Sequence, residues 1–255
     1  MVKPKKYLGQ HFLTDKNIAS KIVQALKNTQ NNDVLEIGPG TGILTNELLN
    51  KNYSLTLIEI DKESIDYLKQ NFKNQFNLLE GDFLKINLQE IFYSEISIIG
   101  NFPYNISSQI FFKILNNMNM VSEVVCMIQK EVAERITSKH GNKIYGILSV
   151  LIQYYYDVEY LFTVNETVFF PAPKVKSAVI RLSKKKLENE NIPFNTLLTI
   201  VKTAFNQRRK KIGNSLSQLI KLNNLDNNNP FFSLRPEQLS PSDFATLSGL
   251  FSLIH

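Results

Sequence analysis

Short apolar runs alternate with amphipathic stretches along the first two-thirds of the chain. The runs that predict strands are Val34–Ile37, Ser54–Ile60, Asn77–Leu79, Ile96–Ile99 and Glu123–Ile128. The stretches that predict helices between them are Ile43–Leu49, Ile65–Phe72, Ile110–Leu115 and Val132–Ile136. Buried strands that alternate with helices are typical of parallel βαβ units. The pattern therefore predicts an α/β sheet that is covered by helices on both faces.

The pattern changes after residue 182. Val158–Val164 and Ser177–Leu182 predict a final pair of strands, and the polar run Lys184–Asn191 follows them. Beyond that run, helical periodicity is found at Phe194–Phe205, Ile212–Leu222 and Phe244–Leu253. We therefore predict an α/β domain at residues 1–187 and a small all-helical domain at residues 188–255.

Composition narrows the class of protein. The 255 residues include one cysteine, which fits a reducing compartment. The chain contains no apolar run of membrane-spanning length and no apolar segment typical of a signal peptide. These features predict a cytoplasmic protein without a membrane partner.

The positive charge is concentrated in one part of the sequence. Residues 184–211 hold eight basic and two acidic side chains, which accounts for the whole net charge of +6. Clustered positive charge indicates a polyanionic partner, most often nucleic acid. A solvated helix face next to a charged linker is the alternative that the sequence leaves open.

A glycine-rich loop follows the first predicted buried strand and precedes a helix. It reads Gly38-Pro39-Gly40-Thr41-Gly42, which has the context of a Rossmann-like nucleotide site. The spacing is GxGxG rather than the GxGxxG of dinucleotide enzymes, and no P-loop Lys-Ser or Lys-Thr follows. The carboxylate of Glu36 precedes the loop and suits a ligand with an amine and a cationic sulfonium better than a pyrophosphate.

Two further acids end the next two predicted strands. Glu59 lies 21 residues after Gly38, which is about where a ribose-binding acid occurs in such folds. Asp82 follows the third strand. With Glu36, they outline an adenosyl site at the carboxyl edge of the sheet. Asp82 alone is equally consistent with a turn-forming residue at a strand end.

The fourth strand ends in Asn101-Phe102-Pro103-Tyr104, and this sequence indicates the chemistry. An exocyclic amine on a base is a poor nucleophile, and acceptors that hold its N–H bonds aim its lone pair. The side-chain oxygen of Asn101 and the backbone carbonyl of Phe102 supply such acceptors. Pro103 stiffens the turn, and Tyr104 offers a face for stacking, worth about 1–3 kcal/mol.

An unstacked base has a second face that an aromatic side chain can cover. Phe169, in the sequence Val168-Phe169-Phe170-Pro171, is the candidate for this contact. A buried aromatic residue is an equally good interpretation of either phenylalanine.

Seven motifs together resemble the ribosomal RNA adenine dimethyltransferases, in particular the small-subunit enzymes. They are Tyr7–Leu13, Glu36–Gly42, Asn101–Asn105, Gln129–Val132, Tyr145–Val150, Phe170–Arg181 and Phe205–Lys210. The resemblance covers essentially the whole chain. It implies a Rossmann-like methyltransferase domain with a small C-terminal all-helical domain. It also implies transfer of methyl groups from S-adenosylmethionine to N6 of two adjacent adenosines near the 3′ end of small-subunit rRNA.

The resemblance assigns residues and a partner. It implies that His11, Leu13, Gly38, Gly40, Glu59, Asp82 and Asn101 contact the cofactor. The family often has Asn at position 11 and Leu at position 102, where this chain has His11 and Phe102. The implied substrate is an immature small-subunit particle, and we expect a monomer without a metal. Arg208, Arg209, Lys210 and Lys211 are expected to contact RNA phosphate.

Three alternatives remain at this point. The related family that dimethylates large-subunit rRNA shares the glycine loop and the Asn-x-Pro-Tyr sequence, although Tyr145–Val150 and Phe205–Lys210 favour the small-subunit enzymes. A non-catalytic ribosome-assembly factor would not need the intact site residues. A nicotinamide oxidoreductase is disfavoured by the GxGxG spacing.

Overall fold

The computed structural model describes residues 2–27, 32–73, 75–187, 192–226 and 228–251, and it divides the chain into two compact units. The first unit comprises Met1–Ala133 and Glu159–Lys184, and the second comprises Glu134–Val158 and Lys185–His255. The second half of the predicted polar run, residues 188–191, lies outside the described residues, as do residues 252–253 of the last predicted helix.

A seven-stranded sheet forms the centre of the α/β fold. Numbered along the chain, and including the two that lie outside this sheet, the described strands are β1 (Phe12–Leu13), β2 (Asp33–Ile37), β3 (Ser54–Glu59), β4 (Asn77–Glu80), β5 (Ile96–Asn101), β6 (Val121–Gln129), β7 (Tyr156–Val164), β8 (Phe169–Phe170) and β9 (Ser177–Lys184). The sheet order is β4-β3-β2-β5-β6-β9-β7, while β1 and β8 form a separate antiparallel pair. Strands β2 to β6 are parallel, and β9 runs antiparallel to β6. The carboxyl ends of β2, β3, β4 and β5 therefore meet at one edge.

Helices connect the strands and build the second unit. They are α1 (Lys16–Gln24), α2 (Ile43–Leu48), α3 (Lys62–Phe72), α4 (Ser107–Asn116), α5 (Lys130–Thr137), α6 (Ile147–Tyr155), α7 (Phe194–Asn206), α8 (Ile212–Ser215), α9 (Ser217–Leu222) and α10 (Pro241–Ser248). Short 3₁₀ helices lie at Lys6–Leu8, Leu88–Glu90, Glu166–Val168, Pro230–Ser233 and Pro236–Gln238. No helix within the described ranges is long and apolar enough to cross a lipid bilayer.

The hydrophobic pattern located the parallel strands, and all of them except the exposed or half-buried β4 are short, mostly buried apolar runs. The expected pair of late strands is confirmed, since β9 and β7 are neighbours in the sheet. The predicted helix at residues 212–222 is divided into α8 and α9. Helices α1 and α6 were not predicted; α6 reads ILSVLIQYY, and so apolar a stretch gives no amphipathic signal.

The boundaries of the two compact units differ from the single domain boundary that the sequence predicts near residue 187. Helix α6 packs against α7 and α10, so Glu134–Val158 belongs with the helical part of the chain. Aromatic contacts fill this second core: the ring centroids of Tyr145 and Phe205 lie 6.2 Å apart, and those of Phe205 and Phe244 lie 5.9 Å apart. Burial of α6 explains the difference, because its apolar side chains require a partner surface.

Candidate active site

The glycine loop after β2 approaches the N-terminal segment of the chain closely. Gly38 and Gly40 have φ values of +64° and +57°, which a side chain would strain. A Cβ atom built on Gly40 would lie 2.8 Å from the ring of Phe12. The loop is therefore restricted to glycine at this point both by its backbone conformation and by its neighbour.

Glu36 lies in β2 just before this loop and is hydrogen-bonded to helix α2, which follows the loop. Its side chain is 1% exposed and accepts a hydrogen bond of 2.7 Å from the hydroxyl of Thr45. Burial, together with the nearby charge of Glu59, raises the pKa of Glu36 to about 8 despite the Thr45 hydrogen bond. Glu36 does not line the adjacent cavity, so its predicted position as a ligand for an amine or sulfonium is not what the structure shows.

Glu59 ends β3 and does line the cavity. Its carboxylate accepts backbone N–H groups from Gly40 at 3.0 Å, Ile60 at 2.8 Å and Asp61 at 2.9 Å. Burial raises the pKa of Glu59, although these N–H groups partly offset the effect. The hydrogen bond from Gly40 joins the end of β3 to the glycine loop.

Asp82 lies in the turn that follows β4, and it also lines the cavity. One of its carboxylate oxygens accepts the N–H of Leu84 at 3.0 Å, which fixes the turn. A carboxylate has several acceptor positions, so Asp82 retains capacity to accept a further hydrogen bond.

The turn after β5 combines a fixed amide with a buried anchor. The side-chain NH₂ of Asn101 donates to the backbone carbonyl of His11 at 2.8 Å, which sets the orientation of the amide. Phe102 is fully buried and packs edge-on against Phe111, with ring centroids 6.0 Å apart. Asn101, Phe102, Pro103 and Tyr104 all line the cavity.

Tyr104 is hydrogen-bonded to the side chain of Ser177, a contact that the sequence did not predict. Its phenolic oxygen lies 2.5 Å from the hydroxyl of Ser177, the first residue of β9. Burial raises the pKa of Tyr104, and the hydrogen bond to Ser177 opposes this only in part. The ring of Tyr104 is also stacked with that of His11, with centroids 5.4 Å apart and planes 25° apart.

We call residues 5–14 the N-terminal strap, and residues 7–12 of it form one wall of the cavity. Buried Asp61, at the start of α3, pairs with Lys5 and accepts a hydrogen bond of 3.1 Å from Gln10. Burial tends to raise the pKa of Asp61, but the hydrogen bonds from Lys5 and Gln10 outweigh it, so the pKa is lowered. At its other end the strap pairs with β8 through β1.

The two strap residues predicted to contact the cofactor behave differently. His11 lines the cavity, and its Nδ1 lies 2.6 Å from the carbonyl oxygen of Pro171. Leu13 is buried in the hydrophobic core and does not line the cavity. A cofactor contact through the side chain of Leu13 is therefore not supported.

The predicted role of Phe169 as the second stacking surface is not supported either. Its side chain is 5% exposed and packs in the core, whereas Phe170 is 59% exposed. Successive residues of a strand point to opposite faces, and the pairing of Leu13 with Phe169 places that phenylalanine on the core side. The interpretation of Phe169 as a buried aromatic residue is correct.

The basic residues predicted to bind RNA all lie in the second unit. Arg209, Lys210 and Lys211 are exposed. Arg208 is partly buried: its guanidinium group donates to the carbonyl of Asn142 at 3.2 Å and lies 3.8 Å from the carboxylate of Glu237. Arg208 is therefore already engaged within its own unit.

The structure adds three site residues to those expected from sequence. Asp61 and Gln10 anchor the strap, and Ser177 anchors Tyr104. Asp61 had a sequence signal, because an Asp directly before a helical stretch is a common N-cap, and its side chain does accept the N–H of Glu63. Ser177 had no local signal, since Tyr104 lies 73 residues away from it.

The glycine loop, the strap and the turns after β3, β4 and β5 line a cavity of about 340 Å³ at the carboxyl edge of the parallel strands, the usual ligand position in open α/β sheets. The lining mixes glycine backbone, the carboxylates of Glu59 and Asp82, and apolar side chains such as Ile60 and Phe83. A Cβ atom built on Gly38 would meet no neighbour within 4 Å, so the loop backbone is open to a ligand there. This donor and acceptor set fits a nucleoside that carries an amino acid, as S-adenosylmethionine does.

The fold and this cavity define an S-adenosylmethionine-dependent methyltransferase. A solved structure of a dimethyladenosine transferase from Plasmodium falciparum is similar, with a TM-score of 0.78, 28% identity and coverage of 93% of this chain and 96% of that one. The 23S rRNA methyltransferase ErmE shares the fold, with a TM-score of 0.69 and 23% identity over 92% of this chain and 98% of that one.

Sequence comparison defines the family. A family model described as ribosomal RNA adenine dimethylase matches residues 1–236, and the chain belongs to this family. A relative from Parabacteroides distasonis, named ribosomal RNA small subunit methyltransferase A, is 49% identical over 97% of this chain and 94% of its own length. A relative of the same name from Flavobacterium johnsoniae is 50% identical over 97% of this chain and 95% of its own.

Proposed function

We propose that this protein dimethylates N6 of two adjacent adenosines near the 3′ end of small-subunit rRNA, and that it acts on an immature small-subunit particle. The names of the relatives support the choice of small subunit. We further propose that it works as a monomer in the cytoplasm. The adenine-modifying family to which the chain belongs supports the reaction at a base amine.

The orientation of Asn101 is the observation that carries this proposal. Its side-chain NH₂ is occupied by the carbonyl of His11, so its side-chain oxygen is the group left to accept a hydrogen bond at the cavity wall. The backbone carbonyl of Phe102 follows in the same turn. Two carbonyl oxygens can hold both N–H bonds of an adenine amine, which directs the nitrogen lone pair away from the ring plane.

The cavity residues divide into those that hold the cofactor and those that hold the base. Glu59 supplies acceptors for ribose hydroxyls, and Asp82 supplies an acceptor for the adenine amine of the cofactor. The glycine loop at Gly38 and Gly40 supplies backbone groups. When bound, S-adenosylmethionine supplies a methyl group that is activated by its sulfonium. Tyr104, anchored by its hydroxyl, presents its ring as a stacking surface at the same wall.

Replacement of Asn101 tests the proposal. We expect Asn101→Ala to abolish methyl transfer to immature small subunits while binding of the particle is largely retained. Asn46→Ala, at an exposed position on α2, is the matched control and should keep full activity. The measurement is mass mapping of dimethyladenosine in small-subunit rRNA. Near wild-type transfer by Asn101→Ala would show that the amine-holding role is wrong.

The substrate is tested in the same assay. Immature small subunits should be methylated, and protein-free large-subunit RNA should not. The reverse preference would indicate the large-subunit type of dimethyltransferase. Particle binding without any transfer, at every salt concentration tried, would indicate a non-catalytic assembly factor.

A further inference from the structure

The second unit contains an exposed loop between α5 and α6 whose function the sequence did not suggest. Residues 139–144 are all exposed, and residues 139–143, which we call the basic loop, read Lys139-His140-Gly141-Asn142-Lys143. The basic loop contains no acidic residue. It lies more than sixty residues before the basic run at residues 208–211, and the sequence alone gives no reason to connect the two.

The structure joins the basic loop to that run through Arg208. The guanidinium group of Arg208 donates to the backbone carbonyl of Asn142 at 3.2 Å, and Gly141 donates its N–H to the backbone carbonyl of Glu237 at 2.5 Å. The same guanidinium group lies 3.8 Å from the Glu237 carboxylate and 6.0 Å from the ring centroid of Phe205. The loop backbone is thus held at two adjacent residues.

This arrangement gathers five cations on one unit. Lys143 is one peptide bond from Asn142, and Arg209 is one peptide bond from Arg208, so both flank the same hydrogen bond. Within the described residues, no salt bridge involves any of Lys139, Lys143, Arg209, Lys210 and Lys211. The carboxylate of Glu237, which touches this region, is paired with Arg208. Cations that no carboxylate neutralises, on a loop and on the run of residues bonded to it, attract a polyanion.

We propose that the basic loop and Arg209–Lys211 form one surface that binds the phosphate backbone of the RNA substrate, and that Arg208 positions the loop rather than contacting RNA. The choice of RNA rests on the proposed function. An Arg fork that donates to a backbone carbonyl fixes a loop more rigidly than a point charge would, so Lys cannot replace it. The inference assigns the basic loop a role and changes the role expected for Arg208.

The first test removes the two loop lysines. The double variant Lys139→Ala/Lys143→Ala should bind immature small subunits about tenfold more weakly at physiological salt. Its plot of log affinity against log salt concentration should be less steep by about 2, since two phosphate contacts are lost. The control is Lys21→Ala/Lys51→Ala, which removes the same charge from exposed positions of the first unit. A loop variant that behaves like this control would overturn the proposal.

The second test separates positioning from direct contact at Arg208. Arg208→Lys keeps the positive charge. If Arg208 only contacts a phosphate, this variant should bind immature small subunits about as tightly as wild type. If Arg208 holds the loop, the variant should bind as weakly as Arg208→Ala. In an Arg208→Ala background, removal of Lys139 and Lys143 should have less than half its usual effect on affinity. Full additivity, or rescue by Lys, would refute the positioning role. If Arg208→Ala fails to fold, the loop variant still tests the surface and Arg208→Lys still tests the positioning role.

The two proposals fail in different ways. A wild-type protein that neither binds nor methylates immature small subunits contradicts the proposed function. If the wild-type protein does both but the loop variant behaves like its control, only the proposed RNA-binding surface is contradicted. Weaker binding with an unchanged salt dependence would show that the loop contacts something other than phosphate, and it would also overturn the inference.

Discussion

Glu36 gives the prediction with the best-defined magnitude, because it is a buried carboxyl group that Thr45 contacts through its hydroxyl and its backbone N–H. Glu36→Gln has almost the same shape, keeps an oxygen to accept the Thr45 hydrogen bond, and cannot ionise. The substitution therefore removes the ability of the site to ionise and changes little else. We expect it to remove most of the pH dependence that this residue gives to stability.

The magnitude follows from the pKa of Glu36, which burial raises from 4.5 to about 8. Below pH 4.5 the carboxyl group is protonated in both the folded and the unfolded protein. Between pH 4.5 and 8 the folded protein holds a proton that the unfolded protein has released, so stability falls as the pH rises. The 2.5 pH units from 4.5 to 7, at about 1.4 kcal/mol each, amount to about 3–4 kcal/mol. Above pH 8 the contribution stays constant.

The assay is urea unfolding of the cofactor-free protein at pH 5, 6, 7 and 8. The difference in unfolding free energy between Glu36→Gln and wild type should shift in favour of the variant by a few kcal/mol between pH 5 and pH 8. Glu90→Gln, at an exposed position, controls for the loss of a carboxyl group. Parallel pH profiles for wild type and Glu36→Gln would refute the reasoning, because the buried carboxyl group would then contribute nothing to the slope.

Two further predictions concern the core and the strap. Phe169→Ala should lower the unfolding free energy by about 3–5 kcal/mol, whereas exposed Phe170→Ala should change it by less than about 1 kcal/mol; equal losses in urea unfolding would contradict the assigned burial. Asp61→Asn removes the charge that pairs with Lys5 and weakens the acceptor for Gln10, so calorimetry should show several-fold weaker binding of S-adenosylmethionine. An unchanged affinity would show that the anchored strap does not contribute to the cofactor site.

The sequence predicted features that depend on local pattern. The apolar runs before Gly38, Asp82 and Asn101 located three strands, and parallel strands necessarily bring their carboxyl ends to one edge. The glycine loop and the acid Glu59 therefore fell at the cavity as expected. The fold and the position of the cavity were predictable because apolar runs locate the strands and the parallel direction of the strands puts their carboxyl ends at one edge.

Features that depend on distant partners were not predictable. Two adjacent phenylalanines at the end of a 3₁₀ turn do not show which one faces inward until β8 has found β1, so Phe169 was misassigned. Glu36 was expected to face a ligand, but its side chain points under the loop to Thr45. The link between Arg208 and Asn142 spans 66 residues and uses a backbone carbonyl, which leaves no trace in residue type.

The strap also has a consequence for how the protein is made. Its residues are synthesised before the seven-stranded sheet, but the carbonyl group that contacts His11 belongs to Pro171, 160 positions later in the chain. Closing so long a segment is entropically unfavourable until the intervening sheet exists. The anchors at Asp61 and Asn101 are in place earlier, but the strap cannot complete its wall of the methyl-donor pocket until residue 171 has been made.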